Sequence, residues 1–327
     1  MLNSKRFKLW ISIFILLLLV VFVVLMPQKR KSERNFKQQL VQIPVETIDK
    51  IVFQLPDSDV PTSLVRNQSQ PGWQVVKNEK SYQADTNMVY NLLHSCVNMP
   101  SVRMAGSDKS TWAKFHVADT NAIILDFFSG KKKLKRLYVG NFNYMSQQSQ
   151  NAGAVNNQGR ITTFVREEGD KATYAVDGYL KANFSNDLPY YRNKVLFKAD
   201  KTKITRVYTQ FADGSSYELV RQSAGFFTID GQPADSLAVN KFFHSADNVN
   251  SRDLVDDVDP SSLPEKFDLV RFEGENMTPV TLKAYKADED RNYIITSSVN
   301  PNSYFSDPIE RIYRMVFKPR SFYLPEE

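Results

Sequence analysis

Side chains that could carry out catalysis are few and poorly placed for it. The sequence has three histidines, His94, His116 and His244, and a single cysteine, Cys96. Residues two apart on a helix, as His94 and Cys96 would be, do not face each other, so they cannot form a nucleophile–base pair. His244 could pair with Asp247, but both helical histidines lie beside apolar stripes at matching positions, which favours a packing or boundary role. No Cys or His cluster has the spacing of a zinc site.

Charged clusters are the other chemical candidates. Two acidic groups, at 253–259 and 288–290, could bind calcium, but neither has the glycine and distal glutamate of an EF-hand loop, so we expect solvated turns. The basic run 131–136 could bind phosphate. Because it follows Ser129 and Gly130 between two β-rich runs, a hairpin turn leading into a charged edge strand is favoured. We therefore predict no catalytic residue, no cofactor and no metal site, and a protein that is not an enzyme.

An internal repeat supplies the elements that would position any site. Seven residues of one segment recur in the same order 150 residues later. They are Asp85, Val89, Leu92, Leu93, His94, Ser95 and Asn98 in the first copy, and Asp235, Val239, Phe242, Phe243, His244, Ser245 and Asn248 in the second. The aspartates are predicted to cap helices over 85–99 and 235–249, whose apolar residues form one stripe each. We expect Val89, Leu93, Val239 and Phe243 to lie in the core.

The runs around these helices are rich in β-forming residues. Strand candidates precede each helix, and others follow it, including 114–118 and 309–317. The predicted fold class is α+β, with an N-terminal transmembrane helix followed by two tandem copies of a β-rich unit with one main amphipathic helix each. The polar run 146–160 is predicted to be a loop or a disordered insertion. The predicted divisions are a cytoplasmic tail (1–8), a transmembrane anchor (9–26), a basic and polar stalk (27–44), a first α+β repeat (45–187) and a second α+β repeat (188–327).

The segment 9–26 is apolar except for Ser12 and would span about 27 Å as a helix, close to the thickness of a bilayer's hydrocarbon core. The residues that represent this predicted anchor are Leu9, Trp10, Ile11, Leu18, Val24 and Met26. No Ala-x-Ala cleavage signal follows, and no cysteine stands there to accept a lipid. The pattern therefore favours an uncleaved single-pass anchor over a removable signal peptide.

Basic residues flank this segment and explain the net charge of +6. They are Lys5, Arg6 and Lys8 before it, and Lys29, Arg30, Lys31, Arg34 and Lys37 after it. The chain after residue 37 has 34 basic and 35 acidic side chains, so we expect no nucleic-acid partner. The count of basic residues slightly favours a cytoplasmic C-terminal domain, whereas the short charged N-terminus resists transfer and long domains cross regardless of charge. We expect a bacterial inner-membrane protein with its large domain in the periplasm.

Several motifs after the stalk resemble a known family. They are Gly72-Trp73-Gln74-Val75, Leu137-Tyr138-Val139-Gly140, Tyr174-Ala175-Val176, Tyr191-Arg192-Asn193-Lys194-Val195-Leu196-Phe197 and Ile204-Thr205-Arg206-Val207. Together they resemble the bacterial domain-of-unknown-function family numbered 4340. The resemblance implies a membrane-anchored domain outside the cytoplasm that accompanies ABC transporters of the gliding-motility type. It supplies no catalytic residue, and the polar run 146–160 departs from the family's compact pattern.

Two functions remain open at this point. The first is a non-enzymatic envelope protein whose duplicated unit presents an interaction surface to a membrane protein complex, with an ABC transporter as the expected partner. The second is a ligand-binding or hydrolytic module with a site between the two repeats. The lack of a nucleophile with a base partner favours the first, and a deep pocket between the repeats would favour the second. Any small-molecule ligand is unknown from the sequence.

Overall fold

Each half of the chain is organised around one large antiparallel sheet with one long helix on its face. The computed structural model describes residues 36–67, 72–145, 159–223, 225–288 and 290–325. We call residues 36–193 the first unit and residues 194–325 the second unit. Each unit has its own hydrophobic core, and the long helix of that unit contributes to it.

The described part of the first unit contains ten strands and two α-helices. The strands are β1 (Gln39–Gln42), β2 (Lys50–Gln54), β3 (Thr62–Arg66), β4 (Trp73–Lys77), β5 (Lys80–Gln83), β6 (Asn98–Gly106), β7 (Ile123–Ser129), β8 (Lys132–Met145), β9 (Arg160–Glu167) and β10 (Thr173–Asp177). The helices are α1 (Thr86–Val97) and α2 (Trp112–Phe115). Short 3-10 turns lie at Val45–Thr47, Lys109–Thr111, Leu180–Asn183 and Leu188–Tyr190.

The second unit, over the residues described for it, has eleven strands and two α-helices. The strands are β11 (Val195–Lys198), β12 (Ile204–Gln210), β13 (Ser216–Ser223), β14 (Phe226–Ile229), β15 (Gln232–Pro233), β16 (Asn248–Asn250), β17 (Leu254–Val255), β18 (Asp268–Gly274), β19 (Val280–Lys286), β20 (Tyr293–Ser297) and β21 (Tyr304–Ser306). The helices are α3 (Ser236–Ala246) and α4 (Arg311–Val316). The 3-10 turns are Pro260–Ser262 and Arg320–Tyr323.

The two units share one strand order. The first sheet runs β1-β6-β10-β9-β8-β7-β2-β3-β4-β5. The second runs β17-β21-β20-β19-β18-β12-β13-β14-β15, and β11 pairs with β16 in a separate two-stranded sheet. The single long β6 pairs with both β1 and β10, whereas in the second unit its role is divided between β16 and β17. Apart from this division, the strands of the two units correspond one to one.

Both long helices begin in the same way. The Asp85 carboxylate accepts hydrogen bonds from the amides of Asn87 (3.0 Å) and Met88 (3.2 Å), and Asp235 does the same for α3, as the sequence predicted. The backbone N–H of each aspartate donates to a buried tyrosine at the end of its own unit, Tyr191 or Tyr323, over 2.8 Å in both cases. Each helix start is therefore tied to the last turn of its own unit.

Some local predictions from the sequence differ from the structure. Strand β1 lies inside the segment that we predicted to be a stalk, and its Leu40 and Val41 are buried. Two predicted strands are helical: α2 covers part of 114–118, and α4 covers most of 309–317. In α4 Ile312 and Val316 are buried while Arg314, two residues from each, is exposed; a strand would place all three on one face, whereas a helix does not. Most of the predicted polar loop, 146–158, lies outside the described residues.

The predicted α+β class is wrong. Among the described residues 44% are in strands and 20% are in helices, and the strands form three sheets. Each unit has only one helix of more than six residues in its described part, so the class is mainly β. The physical reason is that a single helix covers part of one sheet face, while the remaining burial comes from strand pairing and from loops.

The predicted localisation also needs correction. No helix in the described ranges is long and apolar enough to cross a membrane, which conflicts with the expected single-pass inner-membrane protein. The predicted anchor 9–26 and the predicted basic residues from Lys5 to Arg34 lie outside these ranges.

Candidate functional site

The residues that the sequence suggested for catalysis do not come together. His94 and His244 are exposed in the last turns of α1 and α3, and exposed His116 closes α2 with a positive φ of 54°. Cys96 is fully buried, and burial raises the pKa of its thiol to about 12. At neutral pH the thiol therefore keeps its proton and is a poor nucleophile. The predicted core residues are 0–4% exposed: Val89, Leu93, Val239 and Phe243.

The acidic group at 253–259 consists of side chains that already have protein partners. Asp253 accepts from Ser251, Asp256 pairs with Arg192, Asp257 pairs with Arg291, and Asp259 caps the turn Pro260–Ser262. The hydrogen bond from Arg291 lowers the pKa of Asp257. In the described part of the chain no group of three or more His, Cys, Asp or Glu side chains could hold a metal ion. These aspartates hold turns and the boundary between the units.

The basic run 131–136 forms the hairpin that the sequence predicted. Ser129 pairs with Lys132 across a turn in which Gly130 has a φ of 56°. The prediction of an edge strand is wrong, because β8 pairs with both β7 and β9. Acidic residues on its neighbours compensate for the charge: Lys133 pairs with Glu168, Lys135 with Glu167 and Arg136 with Asp126. This ladder of ion pairs explains how a basic strand can lie inside the sheet.

Exposed apolar side chains gather at the far end of β8 and β9. We call Phe142, Tyr144, Ile161 and Tyr179 the aromatic patch; they are 48%, 58%, 36% and 44% exposed. The rings of Phe142 and Tyr179 meet edge to face, with centroids 4.7 Å apart. Tyr144 lies directly opposite Ile161 in the β8–β9 register. The four side chains therefore form two contacting pairs on one part of the sheet.

Two glycines permit this arrangement. The pairing of β8 with β9 shifts between Val139 and Phe142, and a Cβ on Gly140 in this bulge would collide with the carbonyl oxygen of Phe115. A Cβ on Gly159 would collide with the ring of Tyr144. Gly140 ends the Leu-Tyr-Val-Gly motif noted above, so one structural role of this motif is to let the bulge approach α2.

A pocket of about 420 Å³ adjoins the aromatic patch, and Tyr179 belongs to both. Its wall includes His94, Ser95 and Asn98, which belong to the first copy of the repeated motif. At the rim, Arg160 and Asp177 form a two-bond ion pair at 2.6 Å, and the hydrogen bond from Arg160 lowers the pKa of Asp177. The pocket and the patch thus form one continuous surface with a polar end and an aromatic end.

The matching place in the second unit is partly covered. There α4 packs against α3, and the Ser245 hydroxyl, which corresponds to that of Ser95, donates to the Met315 carbonyl of α4 over 3.2 Å. In the first unit only the short turn Leu180–Asn183 follows β10 at the corresponding point of the chain. The serine of the duplicated motif is therefore exposed in the first copy and bonded to a following helix in the second, while the histidine and the asparagine are exposed in both.

The boundary between the units is filled by Arg192. Its side chain is 0% exposed and lies over the ring of Tyr82, 3.7 Å from the centroid. It pairs with Asp256 and donates to the Ser303 hydroxyl over 3.2 Å, so it connects the first unit with the second. Burial and the nearby Asp256 carboxylate raise the pKa of Tyr82. The second hypothesis placed a ligand site between the repeats, but the buried Arg192 guanidinium fills the boundary where it crosses between the units.

Sequence reasoning missed the role of Arg192. Arg192 was noted only as one residue of a family motif, although a charged residue next to the apolar run from Val195 to Phe197 was a usable signal.

A comparison with known protein families gives that motif its context. Residues 73–264, more than half of the chain, match the family described as domain of unknown function DUF4340. The chain belongs to the DUF4340 family.

The DUF4340 match confirms the family that the motifs indicated, and it spans both long helices, the aromatic patch and Arg192. No curated protein and no solved structure matches this chain. The family description names no activity, so function has to be argued from the surface itself.

Proposed function

We propose that this DUF4340 protein is a non-enzymatic accessory protein that binds a protein partner through the aromatic patch and its adjoining pocket. The observation that carries the proposal is the exposure of Phe142, Tyr144 and Tyr179 at one place on the first unit. Large aromatic side chains exposed together are typical of protein-interaction surfaces, because they bury much apolar area at a small entropic cost on binding.

The duplication supports a binding role for this surface. The second unit places α4 against α3 at the matching position, where the first unit has only a short turn, so the two copies of the motif present different surfaces. The side chains that might have served an enzyme have structural partners instead: the aspartates of 253–259 hold turns or pair with arginines, and Cys96 is buried. These observations favour the non-enzymatic hypothesis over a hydrolytic one.

The partner that we propose is a subunit of a membrane complex of the ABC-transporter class, of the gliding-motility type. The support for this class is the resemblance of the sequence motifs to a family whose members accompany such transporters. The chemistry of the patch requires an apolar or aromatic segment on the partner, flanked by a polar group that can meet the Arg160–Asp177 pair at the rim.

Site-specific photo-crosslinking in cells of the source organism tests this proposal. Benzoylphenylalanine is placed at Tyr144 in one strain and at Leu237, which is 74% exposed on the other unit, in a control strain. We expect a crosslinked product at position 144 that contains an ABC-transporter subunit, with much less of it at position 237. A position-144 product that contains no such subunit would contradict the proposed partner.

Paired substitutions separate binding from folding. Replacing Phe142 and Tyr144 with serine should reduce the yield of the crosslink, introduced in this case at Tyr179, by about tenfold or more, because aromatic anchors of an interface typically contribute 2 kcal/mol or more. Leu237→Ser should leave it unchanged. Thermal unfolding of the three proteins should differ little, since the replaced side chains are half exposed. Unchanged crosslinking in the double variant would show that the patch is not the contact.

A further inference from the structure

A second pocket lies on the outer face of the second sheet and is unrelated to the aromatic patch. It has a volume of about 350 Å³. Its floor consists of side chains that alternate along β19 and β20, namely Thr281, Lys283, Tyr285 and Thr296. One wall comes from the segment around Leu263, and the opposite wall from the turn 298–304 that leads into β21.

In the first unit a cluster of side chains covers the matching face of the sheet. At the matching register of β8 and β9, Tyr138 lies opposite Arg166, just as Lys283 lies opposite Thr296 in the second unit. The Arg166 guanidinium is enclosed there between the rings of Tyr138 and Trp112, at 3.6 and 3.7 Å from their centroids. Phe115 and Phe164 complete this small cluster. In the second unit the covering cluster is replaced by a concave surface that carries hydroxyl groups and one lysine.

The only charged side chain among the described residues that line this pocket is a lysine. Lys283 is half-buried and forms no ion pair with any residue that the structure describes; its ammonium lies 4.4 Å from the centre of the Phe267 ring. None of the described residues that line the pocket is acidic. A partly desolvated ammonium surrounded by hydroxyl groups and aromatic rings attracts an anion more strongly than a solvated surface lysine does.

The back wall is held in place and has an unused acceptor. Asn300 is 0% exposed, and its Nδ2 donates to the Asn193 carbonyl over 2.6 Å, which sets the orientation of its amide. Its Oδ1 accepts no hydrogen bond from the described residues. An unsatisfied buried acceptor destabilises a protein unless a hydroxyl group or a water molecule donates to it. Ser303, in the same wall, is fixed by the buried Arg192.

We infer that this pocket binds a small organic anion that carries hydroxyl groups, with its carboxylate or phosphate on Lys283. The hydroxyl groups of the ligand face Thr281 and Thr296, and the rings of Tyr285 and Tyr304 supply flat apolar surface beside them. The volume suits a single monosaccharide-sized molecule. This inference does not depend on the proposed protein partner, because the two sites lie on different units.

Calorimetric titration of the full-length protein tests the inference with three probes of one ring size. Glucuronate presents a carboxylate, glucose 6-phosphate presents a phosphate, and glucose presents neither. We expect saturable binding of at least one of the two anions and at least tenfold weaker binding of glucose, since a charge-assisted hydrogen bond contributes more than a tenfold change in affinity. The stronger of the two anions identifies the charged group.

A matched pair of variants assigns the effect to the pocket. Lys283→Gln keeps a polar side chain that is one atom shorter but removes its charge, and it should weaken binding of the anion by about tenfold or more. Lys241→Gln, at an exposed position on α3, removes the same charge elsewhere and should leave the affinity unchanged. The inference is overturned if neither anion binds saturably, if glucose binds as tightly as the anions, or if the two variants behave alike.

Discussion

Phe243 and Leu237 show how differently two apolar residues of one helix contribute. Phe243 is 4% exposed, and its ring contacts those of Phe227 and Phe242 at centroid distances of 5.2 Å. Leu237 is 74% exposed in the first turn of α3. Phe243 lies on the apolar stripe predicted for α3 and Leu237 does not, so helical periodicity separates the two environments.

We expect Phe243→Ala to lower the free energy of unfolding by about 3 to 5 kcal/mol, because it removes a buried ring and leaves a cavity among close-packed aromatics. Leu237→Ala should change it by less than about 0.5 kcal/mol, since the side chain is already in solvent. Urea titration followed by far-UV circular dichroism measures both. Equal losses in the two variants would contradict the burial of Phe243.

At the scale of elements, the capped helices are the part of the fold that sequence reasoning predicted best. A side-chain cap and an apolar stripe are local features, and α1 and α3 lie within three residues of their predicted ends. Prediction was poorer where an apolar run was short: α4 was expected to be a strand, because a few apolar residues fit either period until their neighbours are known. The alternation of asparagine with aromatic residues at 141–144 was a signal for the aromatic patch, but it could not show that this face stays uncovered.

Removing either cap should destabilise its unit. We expect Asp85→Ala and Asp235→Ala each to lower the free energy of unfolding by about 0.5 to 2 kcal/mol, because each leaves two amides of the first turn without a side-chain acceptor. Asp85→Asn and Asp235→Asn should keep most of the stability, since asparagine caps equally well. Denaturant titration of the four variants decides this; Asn variants as unstable as the Ala variants would point to a role of charge instead.

At the scale of the whole molecule, Arg192 joins two units that have separate cores. A fully buried guanidinium is stable only with partners, and those of Arg192 come from both sides of the boundary: Tyr82 from the first unit, Asp256 and Ser303 from the second. Each sheet is complete within its own unit. Any coupling between the unfolding of the two units therefore has to pass through this boundary.

Arg192→Ala should uncouple the unfolding of the two units. Trp73 and Trp112 both lie in the first unit, so in a Trp10→Phe background tryptophan fluorescence follows that unit, whereas far-UV circular dichroism follows both. In the unaltered protein the two signals should change at one urea concentration, and in the variant they should separate. Arg320→Ala, which breaks an exposed pair with Asp230 inside the second unit, is the control and should keep the signals together. Coincident transitions in Arg192→Ala would show that other contacts join the units.

The amino-acid sequence by itself determined the repeat, the two Asp-capped helices, the hairpin at Gly130 and the membership of the DUF4340 family. All of these rest on short-range sequence patterns or on matching residue types. Only the tertiary structure decided the mainly β class, the central position of β8, the packing of α4 against the helix of one copy of the motif and the pairing of Arg192 with Asp256. Those features depend on contacts between residues that are tens of positions apart. Local propensity does not specify such contacts, because which strands pair and which faces stay open is settled by how whole elements exclude water from one another.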